Sequence, residues 1–555
     1  MTAIIIFNFV PMKTILPAIT CFVCFIVISP VHAQKRELRS IERADLETHM
    51  KFLASDELQG RATGEPGLDI AARYLAVQAA RIGLQPADGD RDYLQYYSIL
   101  EGEIDWNGSA VTIREQGRDP VVSQDHFFVL PSAGHDSLVI EGEIVFAGYG
   151  IMDEKNGYND LEGIDIRDKV VLIMNRGPMN ETGDEALFDN EKWNSMQCLQ
   201  YKMQALYSRQ PKAVLQVFDP KSGIRSIEDI NPRIADYLGK SRGLKMEDTG
   251  LQAQEDRPKM ILIHRNLADL ILEGTGRDLA RLQQEIDRNM TPRSFHLEGK
   301  QIRIAMRTRE REMMVPNVFG MIEGSDPQRR DEVVIYTAHF DHVGTDNSGA
   351  VFNGADDNAS GTVALIEIAE AFMKEKKHPP RGIGFLWVSG EEIGLFGSEY
   401  FAANPLVPAE NIAAVINLDM VGRTKTRKDA ESGRDLTIVG GDSVKVIGAL
   451  QSRVLMEINE QTLREMGMQG NYTYNDRNHP ERYFYRSDHI NFARKDIPVL
   501  FYSTGTHTDY HQVTDDEERI DYDKFLKMTR LAFKVGFNVA RYRDPIAVDN
   551  PFSLW

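Results

Sequence analysis

Between Val333 and Asp419 the chain reads VVIYTAHFDH (333–342), GADDN (354–358), IGFLWVSGEE (383–392) and IAAVINLD (412–419). Three of these are apolar runs of the kind that forms buried strands, and each ends directly in histidine or carboxylate. The glycine-flanked Gly354-Ala355-Asp356-Asp357-Asn358 instead precedes a helical pattern over 362–376, in which Val363, Ile366, Ala369 and Met373 span successive turns. Working outward, Ile497–Tyr502 supplies another strand. Phe525, Met528, Leu531, Ala532, Val535 and Val539 then form the stripe of a last helix, from about Tyr522 to Arg541. Strands separated by helices predict an α/β fold: a mixed, mainly parallel sheet covered by helices. Such sheets build their sites at the carboxyl ends of strands. Imidazole and carboxylate delivered there without thiolate suit a hydrolytic zinc centre.

The 555 residues exceed one ordinary core, so two or more domains are expected. With 26% charged and 42% hydrophobic residues the composition is that of a globular protein. A formal charge of -19 argues against a nucleic-acid partner, which needs a basic surface. Residues 1–33 differ in character. Met12-Lys13, an apolar run through Ile28, and Val31-His32-Ala33 read as a secretory signal cut after Ala33, with a retained N-terminal anchor as the alternative. Cys21 and Cys24 would leave with that segment, so the mature chain keeps only Cys198 and forms no internal disulfide. Beyond it no apolar stretch reaches the ~18 residues of a membrane helix. An exported protein, periplasmic or secreted, is expected.

Residues 41–84 read as two helices broken by Gly60, Gly64 and Gly67. From about 120 to 300 short β-rich runs separated by Asp/Gly/Asn loops predict a β-rich domain inserted into the other one, with no histidine–carboxylate cluster of its own. The expected division is therefore 34–115 and 306–555 for one domain and 120–300 for the insert.

Within the strand-end motifs, His339 can bind a metal while a nearby carboxylate, Asp341, holds its second ring nitrogen. His342 competes for the same role. Asp356-Asp357 could bridge two ions, or Asp357 or Asn358 could simply cap the helix. In extended chain Glu391 and Glu392 point in opposite directions, so one can bind metal and the other act as a base. Asp419 ends the IAAVINL run, and His511 or His507 could complete the site.

HFDHVG, GADDNASG, SGEEIGLFGSEYF, NLDMVGR, RSDHINFARKDIPVLFY and DYHQVTDD together resemble the M28 family of zinc metallopeptidases over most of 306–540. KFLASDELQGRATGEPG resembles family members too. The insert, with VFAGYGI and YNDLEGIDIRDKVVLIM, is similar to the protease-associated (PA) domain found in many of them. The resemblance implies a zinc aminopeptidase-like α/β/α fold and two zinc ions per chain. It implies His339 and Asp419 on one zinc, Glu392 and His511 on the other, and Asp356 bridging, with a cis peptide between Asp356 and Asp357. Asp341 would orient His339 and Glu391 would be the general base, while His507 and His489 have no ligand counterpart. The implied activity is removal of N-terminal residues from peptides with a free N-terminus. The alternatives are an M28-like glutaminyl cyclase with one zinc, a carboxypeptidase, or a receptor-like binding protein. The segment 424–486, where members vary, would bear on specificity.

Overall fold

The computed structural model describes residues 38–554 apart from 88–91, 131–137, 196–197, 231–233, 236–237, 246–257, 347, 435 and 480. The signal reading of 1–33, with Cys21 and Cys24, lies outside the described residues. Cys198 is buried and free. Among the described residues no helix is long and apolar enough to cross a membrane.

The main sheet has nine strands. In chain order they are β1 (Leu94–Ile104), β2 (Lys240–Leu244), β3 (Thr308–Ile322), β4 (Val333–His339), β5 (Gly382–Val388), β6 (Ile412–Leu418), β7 (Ser443–Gly448), β8 (Gln469–Asn471) and β9 (Val499–Ser503). Their order across the sheet is β2-β1-β3-β5-β4-β6-β9-β7-β8. The centre, β5-β4-β6-β9, is parallel, whereas β3 joins β5 and β7 joins β9 in antiparallel fashion.

The central strands are continuously apolar because both faces are covered. Along β4, Val334, Tyr336 and Ala338 enter one core, while Val333 and Ile335 enter the other. The first core lies under α1 (Arg43–Leu53), α2 (Pro66–Ile82), α3 (Gly361–Met373) and α5 (Tyr522–Arg541). On the opposite face Phe401 of α4 (Phe396–Ala403) packs with Phe492 and Ile490. The result is the expected mixed α/β sheet with helices on both faces. The break between α1 and α2 is a tight turn over Asp56–Arg61 in which Gln59, Gly60 and Arg61 all take positive φ.

A second, eight-stranded sheet lies between β1 and β3 in sequence. It runs from Ala110–Glu115 to Phe295–Met306 and has its own core, including Phe146, Leu172, Leu215 and Ile261. Two boundaries differ from the sequence reading. Ala110–Glu115 belongs to this second sheet, since Ile113 pairs with Ile302 and Val111 with Ile304, burying all four. Lys240–Leu244, inside the insert by sequence, returns to the main sheet and pairs with β1, Leu244 opposite Ile99.

Candidate metal centre

All four central parallel strands end at one place. His339 is the last residue of β4, Glu391 and Glu392 follow β5 after Ser389-Gly390, Asp419 follows β6, and the segment after β9 brings back His507 and His511. Two groups of donors form there. His339, Glu391 and Asp419 make one, and His342, Asp357, Glu392 and His511 the other. Asp357 joins them: its Oδ1 lies 3.5 Å from His339 Nε2 and its Oδ2 3.0 Å from His511 Nε2. His339 Nε2 is 3.6 Å from Asp419 Oδ1, and His511 Nε2 is 3.1 Å from Glu392 Oε2.

The carboxylate between the groups is thus Asp357, not the Asp356 expected from sequence, and the cis peptide is Asp357-Asn358 rather than Asp356-Asp357. Asp356 faces away from both groups. Its Oδ1 accepts from the Gly422 amide at 2.6 Å and its Oδ2 faces His507 Nε2 at 3.3 Å. Asp515 sets this register by accepting both the Asp356 and Asp357 amides on one oxygen. Asn358 finishes the loop, donating to Leu418 O and accepting from the Gly361 and Met420 amides. Gly354 starts it at φ 56°, where a Cβ would stand 2.4 Å from the His342 ring and 2.2 Å from Asp357 O. Only glycine fits there.

Asp341 does more than face His339. The Nδ1 of His339 lies 3.2 Å from the Asp341 carbonyl and 3.6 Å from its carboxylate. That carboxylate also accepts the amides of Glu391 and Glu392 and the hydroxyl of Thr63. The two glutamates do diverge, Glu391 toward His339 at 3.9 Å and Glu392 toward His342 at 2.8 Å. Extended backbone is not the cause. They open a turn in which Gly394 and Leu395 donate to Glu391 O, and Asp341 pins its start.

Of the other histidines, His342 donates from Nδ1 to the Glu392 carboxylate and belongs to the second group, His507 sits behind on Asp356, and His489 packs on Phe501 with burial lowering its pKa to about 4. Several supporting residues lie within the motifs quoted above, with no role assigned to them there. Arg61, 1% exposed, donates to the carbonyls of Phe340, Leu53, Asn353 and Gly354, tying the loop after β4 to the loop before α3. Ser487 donates to Asp419 Oδ2 and is itself held by Asn417. Thr63 and Asp515 act likewise. Each is a common residue type in a loop, and only the fold brings it to the site.

Four carboxylates and three imidazoles share this largely buried space. Burial resists charge on His339, yet Glu391, Asp341 and Asp419 hold its pKa well above the usual imidazole value. Burial likewise resists charge on His511, which Glu392 and Asp357 outweigh. Burial raises Glu391 well above the ordinary carboxyl range, with His339 opposing and Glu392 and Asp419 adding. Glu392 is held well below it, because His511 and His342 overcome its burial. The donors fit zinc. Asp357 Oδ2, His342 Nε2 and His511 Nε2 are buried without a hydrogen-bond partner. Two ligands at ~2.0–2.1 Å from one tetrahedral zinc stand about 3.3 Å apart, close to the separations above.

A small cavity of about 40 Å³ opens beside the donors, lined by Met420, Tyr483, Phe501, Tyr510 and Arg486 as well as the carboxylates. Tyr483 and Arg486 come from the end of 424–486 and its junction with the next helix. Wider grooves of about 620 and 840 Å³ lie on the second sheet and its helices, far from any of these histidines in sequence and topology.

Residues 317–536 match the profile of Peptidase family M28. A probable leucine aminopeptidase of Arthroderma otae is 33% identical over 104 residues, 18% of this chain and 29% of that protein. Leupeptin-inactivating enzyme 1 of Streptomyces exfoliatus is 36% identical over 107 residues, 19% of this chain and 22% of that protein. The match therefore spans under a third of the length of these curated relatives. Among solved structures, an aminopeptidase from Aneurinibacillus sp. strain AM-1 shares the fold, with a TM-score of 0.52 at 16% identity over 93% of this chain and 98% of that one.

Proposed function

Because the chain belongs to peptidase family M28 through residues 317–536, we propose that it is a zinc-dependent aminopeptidase that removes N-terminal residues from peptides. The observation that carries this reading is Asp357 standing between two histidine–carboxylate groups at the ends of four parallel strands, with Glu391 beside them. His339 and Asp419 would hold one zinc and Glu392 and His511 the other, with Asp357 shared and His342 steadying Glu392. Zinc in such a pair supplies a Lewis acid and draws the pKa of bound water from 15.7 towards ~7.

Glu391 accepts the proton of the attacking water and passes it to the departing amine, the two halves of one general acid–base role. Asp341 fixes Glu391 through its amide, so the base and the His339 ring are positioned by the same carboxylate. Met420, Tyr483 and Phe501 receive the side chain of the substrate's first residue, and Arg486 stands at the mouth. The second sheet is a protease-associated insert that shapes access to this mouth, since it brings no donor group of its own among its described residues. The apolar run within 1–33 supports export to the periplasm or beyond.

The test uses purified protein with matched peptides, free or acetylated at the N-terminus, with and without chelator, the products read by mass. Chelator-sensitive loss of single residues from the free peptides alone is the expected result. Cleavage of acetylated peptides would replace this reading with carboxypeptidase or endopeptidase action. Inertness toward both, even with added zinc, would favour a cyclase or a binding protein.

A further inference from the structure

A separate group of nitrogen and oxygen donors lies between α1 and α3, on the helical layer rather than at the strand ends. His49 of α1 and Glu367 and Glu370 of α3 each offer one donor atom, all within 4.8 Å of one another. At its centre His49 Nε2 stands 3.6 Å from Glu367 Oε1. Glu367 is 1% exposed, and neither of its carboxylate oxygens has a hydrogen-bond partner. A buried carboxylate left unpaired is among the costlier features a core can hold. Its neighbours on α3, Val363, Leu365, Ile366 and Ile368, are buried and apolar, so an apolar residue would have filled the same place.

The other ring nitrogen of His49 is held by Tyr74 of α2, with Nδ1 and the phenol oxygen 2.6 Å apart. When Nδ1 carries the hydrogen and Tyr74 accepts it, the Nε2 lone pair faces Glu367, an arrangement that an outer partner typically fixes around a metal-ligating histidine. A lone pair opposite a carboxylate needs a proton or a cation between them. The 3.6 Å separation is close to the ~3.3 Å between two ligands of one tetrahedral zinc at ~2.0–2.1 Å. Glu370 closes the group from the solvent side. It also meets Arg81 and Lys374, both about half exposed.

We propose that His49, Glu367 and Glu370 form a structural site for a divalent cation of the zinc class that ties α1 to α3. One imidazole and two carboxylates make the donor set of such an ion. The helix it would brace begins directly after the loop that carries Asp357, so the site holds the middle and the following turn of the helix that this loop leads into. The rival occupant is a proton. Burial, with Glu370 and Asp45 adding, raises Glu367 to about 8, and burial lowers His49, so both groups can be neutral near pH 7.

The experiment compares the whole chain with Glu367→Gln, His49→Gln and Asp357→Asn. Each is stripped with chelator, saturated with zinc and passed through a desalting column, then zinc per chain and the thermal midpoint are measured. Glu367→Gln and His49→Gln are each expected to bind one zinc fewer than the parent chain. They should also lose part of the several-degree rise in midpoint that zinc gives it, while cleaving peptides as before. Asp357→Asn should lose zinc and peptide cleavage but keep the rise due to the helical site, which separates this proposal from the reading of the strand-end centre. An unchanged zinc count in both Glu367→Gln and His49→Gln, with only the pH dependence of stability altered, would assign the place to a proton and overturn the proposal. Circular dichroism checks that each variant folds, and a misfolded Glu367→Gln leaves His49→Gln to carry the comparison.

Discussion

Two adjacent aspartates with the same side chain have opposite surroundings here, and the difference is testable one residue at a time. Asp357 faces histidines of both donor groups, whereas Asp356 accepts from the Gly422 amide on Oδ1 and turns Oδ2 to His507, which belongs to neither group. Asp357→Asn should therefore strip zinc from the strand-end centre, while Asp356→Asn should retain it, as metal analysis after desalting would reveal. Equal metal loss in the two variants would contradict the assignment. Glu391→Gln keeps the shape of the site and removes the proposed base. Its zinc content should match the parent, and its kcat should fall by ~10²–10⁴. Asp341 acts through others, since it holds His339, both glutamate amides and Thr63. Loss of such an outer partner typically costs ~10–100-fold in metal affinity, so Asp341→Asn should weaken zinc binding by that order in a chelator-competition titration.

At the scale of elements, the site depends on loops locked to one another rather than on the strands alone. Arg61 lies in the turn between α1 and α2, yet its guanidinium reaches the loop after β4 and the loop before α3. Burial lowers its pKa to about 10, which leaves it charged at neutral pH. Removing it would take the guanidinium from the carbonyls of Phe340, Leu53 and Asn353, while Gly354 O keeps the Ala359 amide; each buried carbonyl left unsatisfied costs ~1–3 kcal/mol. Arg61→Ala should lower unfolding free energy by at least ~3 kcal/mol, measured by denaturant titration, and should reduce peptide cleavage with it. Lysine should rescue poorly, because a single ammonium cannot reproduce the planar fork. If Arg61→Ala unfolded at the parent's denaturant midpoint, the turn would not be what aligns the two loops.

For the whole molecule, buried charges outside the two donor groups make stability depend on pH. Lys445 of β7 is 1% exposed, stacked 3.8 Å from the centre of the Tyr474 ring, and burial, helped by Arg486, lowers its pKa to about 7. Between about 7 and its unfolded value of about 10.4 the unfolded chain binds more protons at this lysine than the folded one. Its contribution to stability therefore rises with pH across that window and is flat below it. Relative to the parent, Lys445→Met should show a smaller gain in unfolding free energy between pH 7 and 9, read from denaturant curves at the two values. Identical pH slopes would mean that Lys445 stays charged when folded.

The sequence by itself determined the architecture and the kinds of donor side chain brought to the strand ends. Uninterrupted apolar runs such as VVIYTA and IAAVIN can be buried only in a sheet covered on both faces, and their ends could only deliver His339, Glu391, Glu392 and Asp419 to one crevice. Those signals are local, fixed by period and by position relative to a strand. Tertiary structure decided what depends on a turn's exact path. Asp356 and Asp357 are one residue apart in a loop without periodicity, so their roles were set by Asp515, Gly422 and His507, which lie 66 to 159 positions away. The roles of Arg61, Thr63 and Ser487 were hidden for the same reason, since these are ordinary loop residues whose partners are remote. The helical pattern at 362–376 marked α3, but the burial of Glu367 against His49 of α1 required the two helices to be packed. Periodicity gives the faces of elements, and only their assembly gives the partners of the polar groups they enclose.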